Sequence, residues 1–583
     1  MFSIINFYHY SFIIFFIISL SFIFSNIFNR TIAETLSTSI LFVIFFLYWF
    51  AIFNFLELGF YILIISTLIL TLIYLFLKRK SLIKFVSVGV LVYIVLIFLI
   101  AYVFKEYFIY VWDDLSHWGL TAKDMYFKSS IIKRHYNDYP IGTRVLQYFI
   151  LKVYGSYNEG VLLTYFYMIY FSFIIYPLKN ITLKSLNNYL IILLYIILSL
   201  LLPTCFIIFD NFAPFKIYRF LMVDLLLGLT FGFAIYIVII KKYLTKYDSL
   251  QLFLLLFFLV QIKVVGLMFA VTVLLWIILR EKNIITGVKE GVFFAIPIIL
   301  SKLSWFFYVK YYDYSSYLSN RFNSAESVIK FNEFFTIYTN TLINRNIFLY
   351  FSAIDLLLLF SAIAILLILF YKNLRFYIIK LYLLLFTLFA VYNLGLYFTY
   401  MNVFHEAEKS GLFSFERYQT LLFSGFIFIL FLFIPKVLLS MKNYYNSHFL
   451  TIFLFIFCGA FGYFTYYKYK QDINIPDYAK SLKVDVEKIA KRIPKNLQNK
   501  NIIMISGDFS RLIIRYNTGY NILKSSSEKK PDLIIIYNKE NNKKEIIDYL
   551  KRQSLNITFE NIQDNLLILC PVREALCFLT FVN

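Results

Sequence analysis

The sequence predicts an all-α polytopic membrane protein that ends in a small α/β domain. Three observations predict it. Apolar runs recur along most of the chain, each about 20 residues long, the length needed to cross ~30 Å of hydrocarbon, and they suggest about 14 transmembrane helices. Of the 583 residues, 61% are hydrophobic and only 15% are charged, too little polar surface for a soluble chain of this length. Near residue 466 the pattern changes, and residues 467–583 carry 20 Lys/Arg, 13 Asp/Glu and no long apolar run.

Spans are expected at 8–28, 36–55, 58–77, 82–104, 160–177, 189–209, 220–240, 249–262, 264–280, 291–309, 347–371, 381–403, 418–435 and 448–466. The first stretch has no basic n-region and no small-residue cleavage site, so it reads as an uncleaved span. "KRK" at 78–80 follows the third run. Lys179/Lys184, Lys241/Lys242/Lys246, Arg280/Lys282, Lys372/Arg375/Lys380 and Lys436/Lys442 then fall in alternate loops. Basic loops stay on the cytosolic side. The net charge of +22 is therefore read as topology, and no nucleic-acid partner is expected. Alternation puts the N-terminus, the loops 105–159, 210–219, 310–346 and 404–417, and the tail outside. The run 249–262 is short for a full crossing. It brings Lys263 close to the outer interface, where a lysine either snorkels or faces protein or a water-filled cavity.

The tail alternates strand and helix. "NIIMIS" (501–506), "DLIIIY" (532–537), "NITF" (556–559) and "NLLILC" (565–570) are apolar and short, as buried strands are. "DFSRLIIRY" and "NNKKEIIDYLKRQ" carry helical spacing. Such alternation predicts a small α/β domain over 467–583. "SGD" at 506–508 has neither a G-x-G-x-x-G pattern nor a phosphate-loop lysine beside it, so no nucleotide site is expected. The four cysteines form no metal pattern. Cys205 and Cys458 read as packing residues. Cys570 and Cys577 pair if the tail is outside the cytosol, or remain thiols.

Chemistry concentrates in the loop 105–159, which opens with "WDDLSHW" (112–118). A helix over Leu115–Phe127 would follow Asp113 and Asp114. His117 stands four residues after Asp113 and three after Asp114, the spacing of one helical face. A helix start beside the carboxylates helps keep them ionised. "YPIG" (139–142) breaks the chain before a second helix, "TRVLQYFILKVY". Two short helices at the membrane surface are expected, with Trp and Tyr at interface depth. An ionised aspartate there can take a proton from an attacking hydroxyl, or hold a divalent cation through oxygen ligands. Basic neighbours would stabilise a phosphate leaving group. The plainer reading is that the pair caps a helix or solvates a loop, and that His117 packs. A second outside cluster, "HEAEKSGLFSFERYQT" (405–420), places Arg417 and Tyr418 at the mouth of a span, where a guanidinium can grip phosphate with two donors. Otherwise Arg417 snorkels from a polar loop. The Tyr- and Asn-rich stretch 310–346 is of a composition that could recognise a glycan.

With these residues in view, the chain resembles the GT-C superfamily of polytopic glycosyltransferases, which includes the protein O-mannosyltransferases and the aminoarabinose transferases. The resemblance rests on "WDDLSHW", "YPIGT", the many spans and the polar tail, and on a Ser-x-x-Arg-Tyr segment matched by Ser414, Arg417 and Tyr418. It implies a membrane domain over 1–466, a catalytic loop at 105–159 and an extracytoplasmic tail, in a bacterial cell membrane. It implies transfer of a sugar from a polyprenyl-phosphate donor to an envelope glycan, lipid or protein, normally with inversion at the anomeric carbon. Asp113 or Asp114 would be the base, with His117 beside them and a divalent cation as the one cofactor to consider. Lys263, in "QIKVVG", is similar to a lysine-plus-glycine segment of bacterial members and is the first candidate for the phosphate contact. Lys123 and Arg144 are alternatives, and Tyr139 and Glu406 complete the expected substrate contacts. Many members have a basic residue and two prolines where this chain has "NDYPIG", which leaves that contact unassigned. A lipid-linked glycan polymerase or ligase, a lipid-linked oligosaccharide transporter or flippase, and a scaffold are the competing readings.

Overall fold

The computed structural model describes residues 4–78, 87–105, 107–109, 113–132, 139–179, 186–207, 218–241, 243–281, 283–312, 331–404, 409 and 411–441, and four strands between 501 and 569. The molecule is mostly helical. The chain divides into two compact units: residues 1–107 with 121–472, and residues 108–120 with 473–583.

Among the described residues, eight helices are long and apolar enough to cross a membrane. They are α1 (Ile4–Phe28), α2 (Ile32–Ile52), α3 (Leu56–Lys78), α7 (Glu159–Ile174, extended to Leu178 by a 3-10 turn), α12 (Ile284–Tyr311), α14 (Ala353–Phe370), α15 (Arg375–Asn402) and α16 (Phe415–Met441). Four shorter apolar helices are α4 (Val88–Val103), α8 (Leu186–Leu201), α9 (Asp224–Ile240) and α11 (Gly266–Arg280). α10 (Lys246–Ile262) carries Asp248 in its first turn. α5 (Gly119–Lys128), α6 (Gly142–Tyr154) and α13 (Phe331–Asn344) complete the helices named here. The chain is a helical membrane protein. Exposed Leu72, Phe76, Phe306, Phe307 and Leu366 are costly in water and at home against acyl chains. The run 448–466, expected as a span, lies outside the described residues.

Two kinds of contact hold the helices. Lipid offers no hydrophobic gain for helix association, so hydroxyls and small residues take that role. α2 supplies the hydroxyls from its buried "TLSTS" segment. Ser39 bonds Ser21 at 2.9 Å, Thr35 bonds Ser25 at 3.0 Å, Thr38 bonds Tyr247 at 2.8 Å, and Ser37 accepts from Gln251 at 2.9 Å. α1, α2 and α10 are thereby stitched together. Glycine supplies the second contact, between α9 and α16. A Cβ at Gly228 would run into the Leu421 carbonyl and the Ser424 hydroxyl, and one at Gly232 would lie 2.5 Å from the Gly425 carbonyl oxygen. The two backbones touch, and both helices start at the same end.

The second helix expected after "YPIG" is packed inside the bundle. Every residue of α6 from Gly142 to Leu151 is buried, against α1, α2, α7 and α10. Its polar residues Thr143, Arg144 and Gln147 are within the bundle, which an apolar count of the segment does not reveal. The stretch 310–346 is likewise less of a loop than expected, since α13 occupies 331–344.

After α13 two short strands, β1 (Asn346–Phe348) and β2 (Phe351–Ser352), pair antiparallel; in the tail, strands β3 (Asn501–Ile505), β4 (Asn521–Leu523), β5 (Leu533–Tyr537) and β6 (Leu566–Leu569) form one sheet in the order β4-β3-β5-β6. The first two pairings are parallel; β5 and β6 are antiparallel. Three of the four expected strands are present. "NITF" and both expected tail helices lie outside the described residues, and "NIL" at 521–523 is an added strand.

Candidate phosphate-binding site

Lys263 is not a snorkelling residue. α10 stops at Ile262, and Lys263 takes an extended conformation, φ −158° and ψ 156°. The Gly266 amide then donates to the Lys263 carbonyl at 2.8 Å and α11 begins. A Cβ at Gly266 would strike the Leu259 carbonyl, so glycine is what lets the hairpin close this tightly. The turn pushes the Lys263 ammonium toward α9, where it donates to Asp224 Oδ1 at 2.5 Å.

Asp224 is buried in the first turn of α9. Its other oxygen, Oδ2, lies 3.7 Å from Arg417 Nε. Arg417 is the third residue of α16. It reaches Met222 Sδ through Nη1 at 3.1 Å and the Tyr418 hydroxyl through Nη2 at 3.2 Å. The Tyr418 ring lies 5.3 Å from the Lys263 ammonium and 5.1 Å from the Arg417 guanidinium carbon. Phe404 stacks on that ring at 6.0 Å, and Tyr392 donates to the Tyr418 carbonyl at 2.7 Å. One carboxylate therefore stands between two cations, walled by aromatic rings. α9, α11 and α16 all begin here, and helix N-termini favour anions.

The start of α16 is held by its own device. Leu412 and Ser414 both have left-handed backbones, φ 45° and 63°, a conformation that costs a non-glycine residue about 1–2 kcal/mol. Arg345 braces the turn, donating to the Gly411 and Leu412 carbonyls at 3.0 Å each and pairing with Glu416 at 3.2 Å. Ser414 thus shapes the approach to Arg417 through its backbone. Glu406 lies outside the described residues.

Arg144, buried on α6, donates to the Tyr139 carbonyl at 3.2 Å. That bond ties the "YPIG" break to the helix after it. Gly142 packs on Gln261, with a notional Cβ 2.7 Å from the Gln261 Cβ. The first turn of α6 thus lies against the last turn of α10, two residues before Lys263. Lys123 sits elsewhere, its ammonium 5.3 Å from the Tyr157 ring centre.

Asp113, Asp114 and His117 belong to the other compact unit. The expected α-helix there starts instead with a π-turn, Asp114–Trp118, in which the Gly119 amide donates to the Asp114 carbonyl. A π-turn is wider than an α-turn, so the four-residue spacing of His117 from Asp113 still suits one face, while the three-residue spacing from Asp114 does not. The His117 ring meets Trp118 edge-on at 5.5 Å. Among the described residues, no three His, Cys, Asp or Glu gather in one place; the aspartate pair offers carboxylate oxygens suited to a hard cation.

The structure brings together Lys263, Arg417 and Tyr418, which the sequence singles out, with Asp224 and Met222, which it does not; Arg345, which braces the turn, is likewise not singled out. The signal for Asp224 is its position: an acid inside an apolar run is expensive in a membrane. Compared with protein-family models, with curated proteins and with solved structures, the chain matches none.

Proposed function

We propose that the chain is a membrane glycosyltransferase that moves a sugar from a polyprenyl-phosphate donor to an envelope acceptor outside the cytosol. The observation that carries this reading is the group Asp224, Lys263, Arg417 and Tyr418. Two cations and three helix starts converge beside aromatic rings at the end of a bundle whose outer faces meet lipid. A phosphate whose ester chain lies in the bilayer fits those chemical demands. Arg417 and Lys263 hold the phosphate as it leaves and takes up negative charge. Asp113 or Asp114 takes the proton from the acceptor hydroxyl, and His117 assists it. The reading includes about 14 spans, the number suggested by run length, an extracytoplasmic α/β tail over 467–583, and a bacterial cell membrane as location.

Asp113→Asn and Asp114→Asn, made singly, test it in proteoliposomes carrying prenyl-phosphate sugars. At least one should lower transfer by about 10²–10⁴-fold, the usual worth of a general base, with insertion unchanged. Full transfer by both would remove the base. A lipid-linked oligosaccharide flippase is the second reading, since ion pairs within a bundle also serve transporters. Under it, the vesicles would translocate the lipid-linked sugar and leave every acceptor unglycosylated. A chelator arm decides whether a cation takes part.

A further inference from the structure

We propose that Lys302 is a docking cation on the lipid side of the bundle, where a phosphate that carries a hydrocarbon chain binds first, before it passes to Lys263 and Arg417. This rests on the phosphate reading of those two residues, not on sugar transfer. Lys302 is the one charged residue of α12 between Glu290 and Lys310. A lysine inside a span is expensive and marks a functional site by default. It is half-buried, and among the described residues no carboxylate pairs with it. Snorkelling does not fully relieve it. Asn54, in the turn after α2, donates to the Tyr312 hydroxyl at 2.6 Å, so the end of α12 is level with that turn. Lys302 lies ten residues earlier, ~15 Å by helix rise, farther than a lysine side chain extends.

Two contacts fix what Lys302 stands beside. Gln261, in the last turn of α10, donates to the Ser301 carbonyl and hydroxyl at 3.0 Å each. A Cβ at Gly291 would lie 2.7 Å from the Ile278 side chain, which sets the register of α12 against the antiparallel α11. Eleven residues on from Gly291, Lys302 is level with the Leu267 turn, eleven residues back from Ile278. That turn directly follows the hairpin tip at Lys263. The two lysines therefore lie at nearly one depth, on the two sides of the hairpin. Lys263 points inward to Asp224, and Lys302 stands among the exposed Ile299, Leu303 and Phe306. A single cation set in an apolar surface complements a molecule with one anionic head and an apolar tail. The chain lies on those side chains, and the head meets the ammonium.

The test follows association and dissociation of farnesyl phosphate with purified protein in phosphatidylcholine nanodiscs by stopped flow, with farnesol as the uncharged control. Lys302→Met should slow association about tenfold, the scale of electrostatic steering. It should slow dissociation equally and leave the equilibrium affinity unchanged, because Lys302 is a station on the path and not part of the final site. Methionine is apolar and unbranched, so insertion into lipid is not at risk. Lys302→Arg should restore the rates, and farnesol should be indifferent to either change. Unchanged association in Lys302→Met overturns the proposal. So does a loss of affinity through faster dissociation alone, which would put Lys302 in the final site. Loss of bound phosphatidylglycerol in native mass spectrometry, with farnesyl phosphate rates unchanged, would assign the lysine to a resident phospholipid and overturns it too. Wild-type protein that binds no farnesyl phosphate defeats this inference and the phosphate reading together. Binding with the expected rates but without sugar transfer defeats the glycosyltransferase reading alone.

Discussion

The two ends of α9 carry charge in different ways. At the Asp224 end, one carboxylate faces two cations and forms a hydrogen bond with one. At the other end, ~25 Å away by helix rise, two carboxylates are locked from several directions. Glu34 accepts from the Thr31 amide at 3.3 Å, closing a capping box, and takes Lys179 at 2.6 Å and Arg30 at 3.8 Å. Asp248 closes a second capping box with Thr245 and takes Lys241 at 2.9 Å and Arg30 at 3.7 Å. Lys179 lies just beyond its span, and burial there pulls its ammonium below the ordinary lysine range, against the pull of Glu34. Each acid at this end caps a helix and joins the turns α1–α2 and α9–α10. None can be lent to a ligand without unwinding a helix start. The difference separates a clasp from a socket: a clasp saturates its charges with backbone, and a socket leaves side chains answering to one another.

This contrast can be broken by experiment. Glu34→Gln should have the largest effect on folding, about 3 kcal/mol, because the poorly exposed Lys179 loses its carboxylate. Thermal melts in detergent would show it, and farnesyl phosphate affinity per folded molecule should not change. A change in affinity would erase the distinction between the ends. Arg417→Ala should do the opposite: it should lower kcat/KM for the prenyl-phosphate sugar about a hundredfold, equivalent to about 2.7 kcal/mol, with melting nearly unchanged. Gly228→Val should destabilise by about 2 kcal/mol through overpacking, and should also weaken phosphate binding, because it pushes the helix of Asp224 from the helix of Arg417. Thr245→Ala is expected to be the smallest, about 1 kcal/mol for a lost cap, visible only in the melt.

What the sequence revealed follows from what each feature depends on. Helix positions depend on the length of apolar runs, which is local, so the helices at most of the expected runs were legible, eight of them long enough to cross a membrane among the described residues. The hairpin tip at Lys263 was legible because a short run followed by "IKVVG" has few other solutions. Asp224 was not, since its partners lie about 40 and 190 residues away and only packing of α9 against α16 unites them. The π-turn after Asp113 depends on one hydrogen bond shifted by a residue, which no side-chain pattern encodes. The burial of α6 was missed because Arg144, Gln147 and Lys152 give the segment an amphipathic look, while the bundle buries the first two and leaves Lys152 only partly covered.

The contact of Gly228 and Gly232 with α16 has an evolutionary consequence. The distance between a carboxylate on one helix and a guanidinium on another is fixed here by hydrogen atoms in place of methyl groups. Such a distance cannot drift by small steps, because the smallest available change at either glycine is a whole carbon. Lineages that alter the ligand are therefore expected to do so by exchanging residues around Tyr418 and the turn before it, keeping the glycine seam as a fixed ruler.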